Sequence, residues 1–232
     1  MKISIIIPVY NEEQTIAHVI ESVVRASLGR DAVKEIIVVD DGSNDGTRGI
    51  LQNITGITVL ALEKNEGKGA AVKKGFEHAT GDVIVIQDAD LEYDPRDYPA
   101  LLRPLFEEKA DVVFGTRFRG EYQRVLYYWH YVGNTMLTFL SNIFTNLNLS
   151  DMETGYKVFR REVVESIRSK LISKRFGVEP ELVARVARGG WRIYEVPISY
   201  SGRTYREGKK IMWWDGVKAI FAILYFNIFD RR

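Results

Sequence analysis

The chain has no cysteine among its 232 residues, which rules out a disulfide framework and thiolate metal centres and is compatible with a reducing compartment. Histidine is almost as scarce. His18, His78 and His130 lie far apart and give no metal-ligand spacing. Neither charge is in surplus: 32 Lys+Arg stand against 31 Asp+Glu, so there is no overall basic character to attract nucleic acid, and local basic clusters must be judged one by one. Long apolar runs are missing as well. The N-terminal Met1–Pro8 stretch is too short for a signal peptide and reads as a first buried strand. Near the other end, Val217–Phe229 is interrupted by Lys218 and Asn227 and falls short of the roughly 20 residues a spanning helix needs. The expectation is a cytoplasmic-facing protein with a terminal segment that lies on a bilayer or packs on a core.

What is present is an ordinary globular composition, 46% apolar and 27% charged, enough for one large domain or one domain with a tail. Short β-branched runs at Ile3–Pro8, Glu35–Asp40, Ile57–Leu62, Val83–Gln87 and Asp111–Thr116 predict strands. Helical patterns separate them at Glu13–Ala26, Thr47–Asn53, Gly69–Ala79 and Tyr98–Glu108. The near-continuous apolar runs predict strands buried on both faces of a wound, mostly parallel α/β sheet. Ligands of such sheets collect where the carboxyl ends of the strands open into a crevice. Four of those ends are polar here: Tyr10-Asn11-Glu12, Asp40-Asp41-Gly42-Ser43, Asp88-Ala89-Asp90 and Thr116-Arg117. From Tyr122 the character changes to an aromatic-rich segment, then a Gly-marked strand pair, then a Trp-rich terminal helix.

Asp88-Ala89-Asp90 carries the most chemistry. Carboxylates two apart at a strand end share a face and can converge on one hard cation, Mg²⁺ or Mn²⁺, with the small Ala89 between them. Two familiar nucleotide signatures fail. Gly67-Lys68-Gly69 opens like a dinucleotide fingerprint, but Val72 stands where its third glycine belongs, and no segment matches the G-x-x-x-x-G-K-S/T phosphate loop. Pro8 ends the first strand, and Tyr10, Asn11 and Glu12 offer a ring and hydrogen-bonding groups suited to a nucleoside, or else a turn and helix cap. Asp40 and Asp41 are either caps of a turn cluster or acceptors for the N–H groups of a base. Lys68 lies in a glycine-flanked turn before a helix, where it meets phosphate or simply solvent. Arg117 directly follows a strand at the crevice, where its planar guanidinium suits a phosphate.

These segments resemble family 2 glycosyltransferases, close to the dolichyl-phosphate mannose and polyprenyl-phosphate glucose synthases. The likeness rests on Ile6–Glu12, Val38–Thr47, Asn65–Gly69, Asp88-Ala89-Asp90 and Gly115-Thr116-Arg117, and is extended by Asp151–Lys157 and Arg203–Lys210. It implies a GT-A fold and inverting transfer of a hexose from a nucleotide-sugar, GDP-mannose or UDP-glucose, to a polyprenyl or dolichyl phosphate at the cytoplasmic face of a membrane. It also implies a metal at Asp88 and Asp90, with Glu92 standing where the mannose synthases usually have Gln. Asp41 becomes the choice for base or ribose, and Arg203 and Lys209 close over the diphosphate. Asp151 positions the attacking oxygen or supports the cation, and would act as base were the acceptor a sugar hydroxyl. Residues 1–120 are then the donor half, 121–210 the acceptor half, and 211–232 an amphipathic interfacial helix. Tyr127, Tyr128, Trp129, Tyr131, Phe139 and Phe144, with Trp213, Trp214, Phe221, Tyr225, Phe226 and Phe229, suit a bilayer interface or a core. Nearby Arg124, Arg206, Lys210 and Lys218 suit anionic head groups. A membrane protein or second copy of the chain is a possible partner. A transferase for glycan or small-molecule hydroxyls, or a nucleotide-binding membrane scaffold without turnover, are the alternatives.

Overall fold

The computed structural model describes residues 1–119, 124–125, 127–204 and 213–230, with Trp213 described in its backbone only. Seven strands form one sheet: β1 (Lys2–Val9), β2 (Val33–Asp40), β3 (Thr58–Ala61), β4 (Val83–Ile86), β5 (Val112–Thr116), β6 (Lys157–Arg160) and β7 (Ile193–Pro197). Their order is β3-β2-β1-β4-β6-β5-β7. β1 pairs in parallel with β2 and β4, β2 with β3, and β5 with β7. β6 alone runs the other way, between β4 and β5. The expected strand pair of the second half is therefore not a pair. β6 and β7 each bond to β5 from opposite sides, which places strands from both halves of the chain in a single sheet.

The buried residues form two layers, one on each face, as continuous apolar strands require. Ile3, Ile5, Ile7, Val83 and Val85 face helices α1 (Ile16–Arg25) and α4 (Tyr98–Phe106). Ile6, Ile37, Val39, Ile84 and Ile86 face α3 (Lys68–His78), α6 (Arg161–Ile167) and α7 (Val178–Arg188). The period-2 alternation of strand side chains sorts neighbours along each strand into these layers. Each fully buried aliphatic side chain contributes roughly 1.5–3 kcal/mol. The short helix α2 (Thr47–Gln52) adds Leu51 to the first layer.

Helix α5 (Tyr128–Thr145) packs against α8 (Trp213–Leu224), which continues as a π turn over Tyr225–Phe229. Phe226 is buried there, but most of the aromatics named from sequence are not. Trp129 is 78% exposed, Phe139 65%, Phe221 68% and Phe229 75%, so the core alternative fails for these four. Among the described residues no helix is long and apolar enough to cross a membrane.

Candidate active site

Because β1, β2, β4 and β5 all point the same way, their polar ends meet at one edge of the sheet. The loops after β1 and β2 are zipped together. Asn11 and Asn44 exchange hydrogen bonds at 2.8 and 2.9 Å, the Asn11 N–H donates to Ser43 Oγ, and the Glu12 N–H donates to Thr47 Oγ1 at 2.9 Å. Asn11 takes a left-handed backbone (φ 52°), which asparagine tolerates better than most residues. Pro8 is buried within β1, while Tyr10 stands exposed at the crevice lip.

Both acids at the end of β2 are buried and occupied. Asp40 accepts from the Ser43 N–H (3.0 Å) and from Arg48 Nε (2.8 Å). Asp41 accepts the N–H groups of Glu66 and Gly67, each at 2.8 Å, and burial raises its pKa against the pull of those bonds. Asp41 thus fixes the turn leading to Lys68. Gly67 (φ 104°) is needed there, since a Cβ would strike the backbone of Lys174 and Arg175.

Asp88, Asp90 and Glu92 do not converge as a set, and among the described residues no three carboxylates or histidines form a metal-sized cluster. Cationic side chains stand among them instead. Arg203 reaches Asp90 Oδ2 (2.9 Å), Glu92 Oε1 (3.3 Å) and Glu12 Oε2 (3.8 Å), and its N–H also donates to Glu92. Tyr200 Oη donates to the other Glu92 oxygen at 2.9 Å. Lys68 Nζ meets Asp88 Oδ1 at 2.6 Å and Glu179 Oε1 at 2.8 Å. Burial, reinforced by Asp88 and Glu92, pushes the Asp90 carboxyl up to about 7 despite Arg203. Ala89 is buried between the two acids, and its carbonyl accepts from Thr15 Oγ1. Asp88 and Asp90, two hard-oxygen donors at one strand end, fit a Mg²⁺- or Mn²⁺-type ion that takes most of its ligands from phosphate and water, with Lys68 and Arg203 as the cations that would share the two acids with it.

Arg117 and Asp151 form a second unit. Arg117 Nε and Nη2 each donate to an Asp151 oxygen at 2.6 Å, and the Arg117 backbone N–H donates at 3.1 Å. Asp151 is fully buried, and its charge keeps Arg117 well above the usual guanidinium range although burial works the other way. The turn is braced from β7, where Glu195 accepts from the Ser150 N–H and hydroxyl. Arg117 also lies 5.2 Å from the Tyr200 ring centroid, linking this unit to the Glu92 side.

Sequence reasoning missed a buried charge group behind Asp88. Lys157 on β6 and Glu179 at the start of α7 are ion-paired inside the protein, and Lys157 donates to the Thr154 carbonyl. Glu153 lies beside them with its Oε1 unpartnered, and burial followed by the charge of Glu179 pushes its carboxyl up to about 7. The available signal was Lys157 set in the otherwise apolar Tyr156–Phe159 run. Lys209, named for the diphosphate, and Arg206 and Lys210, named for head groups, lie outside the described residues.

The chain is similar to proteins named for sugar transfer. The transferase from Proteus mirabilis described as undecaprenyl-phosphate 4-deoxy-4-formamido-L-arabinose transferase is 28% identical over 213 residues, covering 90% of this chain and 62% of its own length. The dodecaprenyl-phosphate galacturonate synthase of Rhizobium johnstonii is 27% identical with the same two coverages, so the chain spans under two thirds of either relative. An uncharacterized protein of Methanocaldococcus jannaschii is 27% identical over 98% of this chain and 93% of its own. Among solved structures, glucosyl-3-phosphoglycerate synthase from Mycobacterium tuberculosis, in complex with Mn²⁺, UDP and glucosyl-3-phosphoglycerate, superposes with a TM-score of 0.74. It is 25% identical, covering 97% of this chain and 80% of its own. Residues 4–168 match the family described as Glycosyl transferase family 2, and the chain belongs to that family.

Proposed function

We propose that the chain is an inverting, metal-dependent glycosyltransferase that moves a sugar, a hexose in the first instance, from a nucleotide-sugar to a polyprenyl phosphate at the cytoplasmic face of a membrane. One observation carries the reading. Asp88 and Asp90, with Arg203, Lys68 and the Arg117–Asp151 pair around them, gather at the sheet edge of a chain whose relatives are named as transferases acting on undecaprenyl and dodecaprenyl phosphate. Asp88 and Asp90 would hold Mg²⁺ or Mn²⁺, with Glu92 beside them. When bound, the ion supplies positive charge to a departing diphosphate.

The chain's own groups do the rest. Arg203, poised over three carboxylates, brings a fixed cation to the place where the leaving group becomes negative. Tyr10 offers a ring for the base, and Asp40 and Asp41 shape the wall beside it. Arg117 is aimed by Asp151, whose two oxygens are both engaged, so Asp151 positions and does not abstract a proton. A lipid phosphate is already ionised near neutral pH and requires no strong base. The exposed aromatics of α5 and α8 would rest on the bilayer interface.

The UDP held by the solved neighbours makes a uridine donor the first to try. Radiolabelled UDP-sugars incubated with polyprenyl phosphate and Mn²⁺ should give an organic-extractable glycolipid, and Asp90→Ala should give none while melting cooperatively. A panel of UDP- and GDP-sugars that yields no extractable label at saturating Mg²⁺ or Mn²⁺ would overturn the lipid acceptor. The neighbours' complexes with phosphoglyceric acid support a second reading, transfer to a small hydroxyl acid, for which the label would stay in the aqueous phase as a new sugar conjugate.

A further inference from the structure

The buried charges behind Asp88 form one connected object. Glu179 Oε1 receives Lys68, whose Nζ also meets Asp88 Oδ1. Glu179 Oε2 receives Lys157, whose Nζ also donates to the Thr154 carbonyl. Thr154 leads into Gly155, which lies so close to Asp88 that a Cβ there would collide with Asp88 Oδ2. The two oxygens of a single carboxylate therefore govern both sides of Asp88, the ammonium on one and the backbone wall on the other. Glu179 is only 5% exposed, and Lys157 and Lys68 hold its carboxyl below the usual range although burial acts against them.

We propose that Glu179 is a positioning residue for the cation-binding carboxylate Asp88, through Lys68 on one side and through Lys157 and the Thr154–Gly155 backbone on the other. This rests on the metal-dependent reading above. The direction of the effect follows from charge. With Glu179 ionised, Lys68 is shared between Asp88 and Glu179, so the Asp88 charge is only partly neutralised and stays open to a cation. With a neutral amide at 179, Lys68 keeps Asp88 as its one carboxylate partner, while Lys157 is left to the Thr154 carbonyl and the neighbouring Glu153. Lys68 then settles fully on Asp88 and an incoming divalent ion is repelled. Residues that orient a metal ligand typically change metal affinity by about 10–100-fold when altered.

The test is direct Mn²⁺ binding with UDP present and no acceptor, read from the electron paramagnetic resonance signal of free Mn²⁺, so no turnover is needed. Glu179→Gln should raise the Mn²⁺ dissociation constant by about tenfold or more, and the Mn²⁺ concentration for half-maximal transfer should rise in parallel while kcat at saturating Mn²⁺ changes little. A Glu179→Gln protein that melts cooperatively and binds Mn²⁺ with native affinity would overturn the proposal. Should that variant not fold, Glu179→Asp keeps the charge but is too short to serve both lysines, and native Mn²⁺ affinity there overturns the proposal equally. Wild-type protein that binds no Mn²⁺ at all sinks the metal-dependent reading itself, a result distinguishable from an unaltered variant.

Discussion

The strand-end crevice and the α5–α8 face are built on opposite terms. In the crevice Asp41, Lys68, Asp88, Asp90, Arg117, Asp151 and Arg203 each have a partner of opposite charge or a backbone N–H from this same chain. On the α5–α8 face Trp129, Phe139, Phe221 and Phe229 leave most of their rings in solvent. Lone exposed apolar residues are commonplace, but large exposed aromatics on two packed helices are the feature behind the proposed contact with a bilayer. The crevice is organised by what the protein supplies to itself, whereas the described residues supply little cover to the helix face.

That contrast can be broken at three places, in decreasing order of effect. Asp151→Ala strands the buried Arg117 guanidinium and should cost about 3–5 kcal/mol in denaturant unfolding; a loss below 1 kcal/mol would mean that the pair is not the anchor its geometry suggests. Replacing Trp129 and Phe139 together by Ser should leave stability within about 0.5 kcal/mol per site, yet weaken sedimentation with anionic vesicles roughly tenfold. Unfolding of that double variant would turn the face into core. The third and smallest effect lies at the far end of the sheet. Burial would raise the Glu35 carboxyl, but hydrogen bonds from Lys2, Ser4 and Thr80 outweigh it and bring it down to about 2. A folded value below the ordinary 4.5 contributes stability that is complete above that pH and is lost as pH falls toward about 2. Glu35→Gln should accordingly flatten the acid limb of the unfolding midpoint between pH 4.5 and 2.5, and an unchanged slope would count against the bonds.

The first half was legible in the sequence because each β-branched run ends in its own turn cluster. Predicted Glu35–Asp40 lies within observed Val33–Asp40, and predicted Asp111–Thr116 brackets Val112–Thr116. The second half was harder for physical reasons. β6 is four residues, two of them basic, and its strand state depends on β4 and β5, remote in sequence. Lys157 and Glu179 are residue types that belong on the surface unless paired, and their pairing spans 22 positions of chain. In the site, the described motif residues follow the strand ends as their place in the sequence implies, but who holds whom was not readable. Asp40 and Asp41 turned out to grip backbone and Arg48, and Glu92 to grip Tyr200 and Arg203.

The reversal of β6 has a design consequence. A parallel strand offers a crevice the residues that come after it, whereas this strand offers those that come before, so Asp151 to Gly155 arrive at the edge from the opposite chain direction to Asp88 and Asp90. The two walls of the cleft are thus written in separate stretches of sequence with separate connections. A foreign loop grafted ahead of β6 would leave the covalent path of Asp88 and Asp90 untouched, yet it would remove the Asp151 partner of Arg117 and the Gly155 contact with Asp88, so the two walls are separate in chain and joined in contacts.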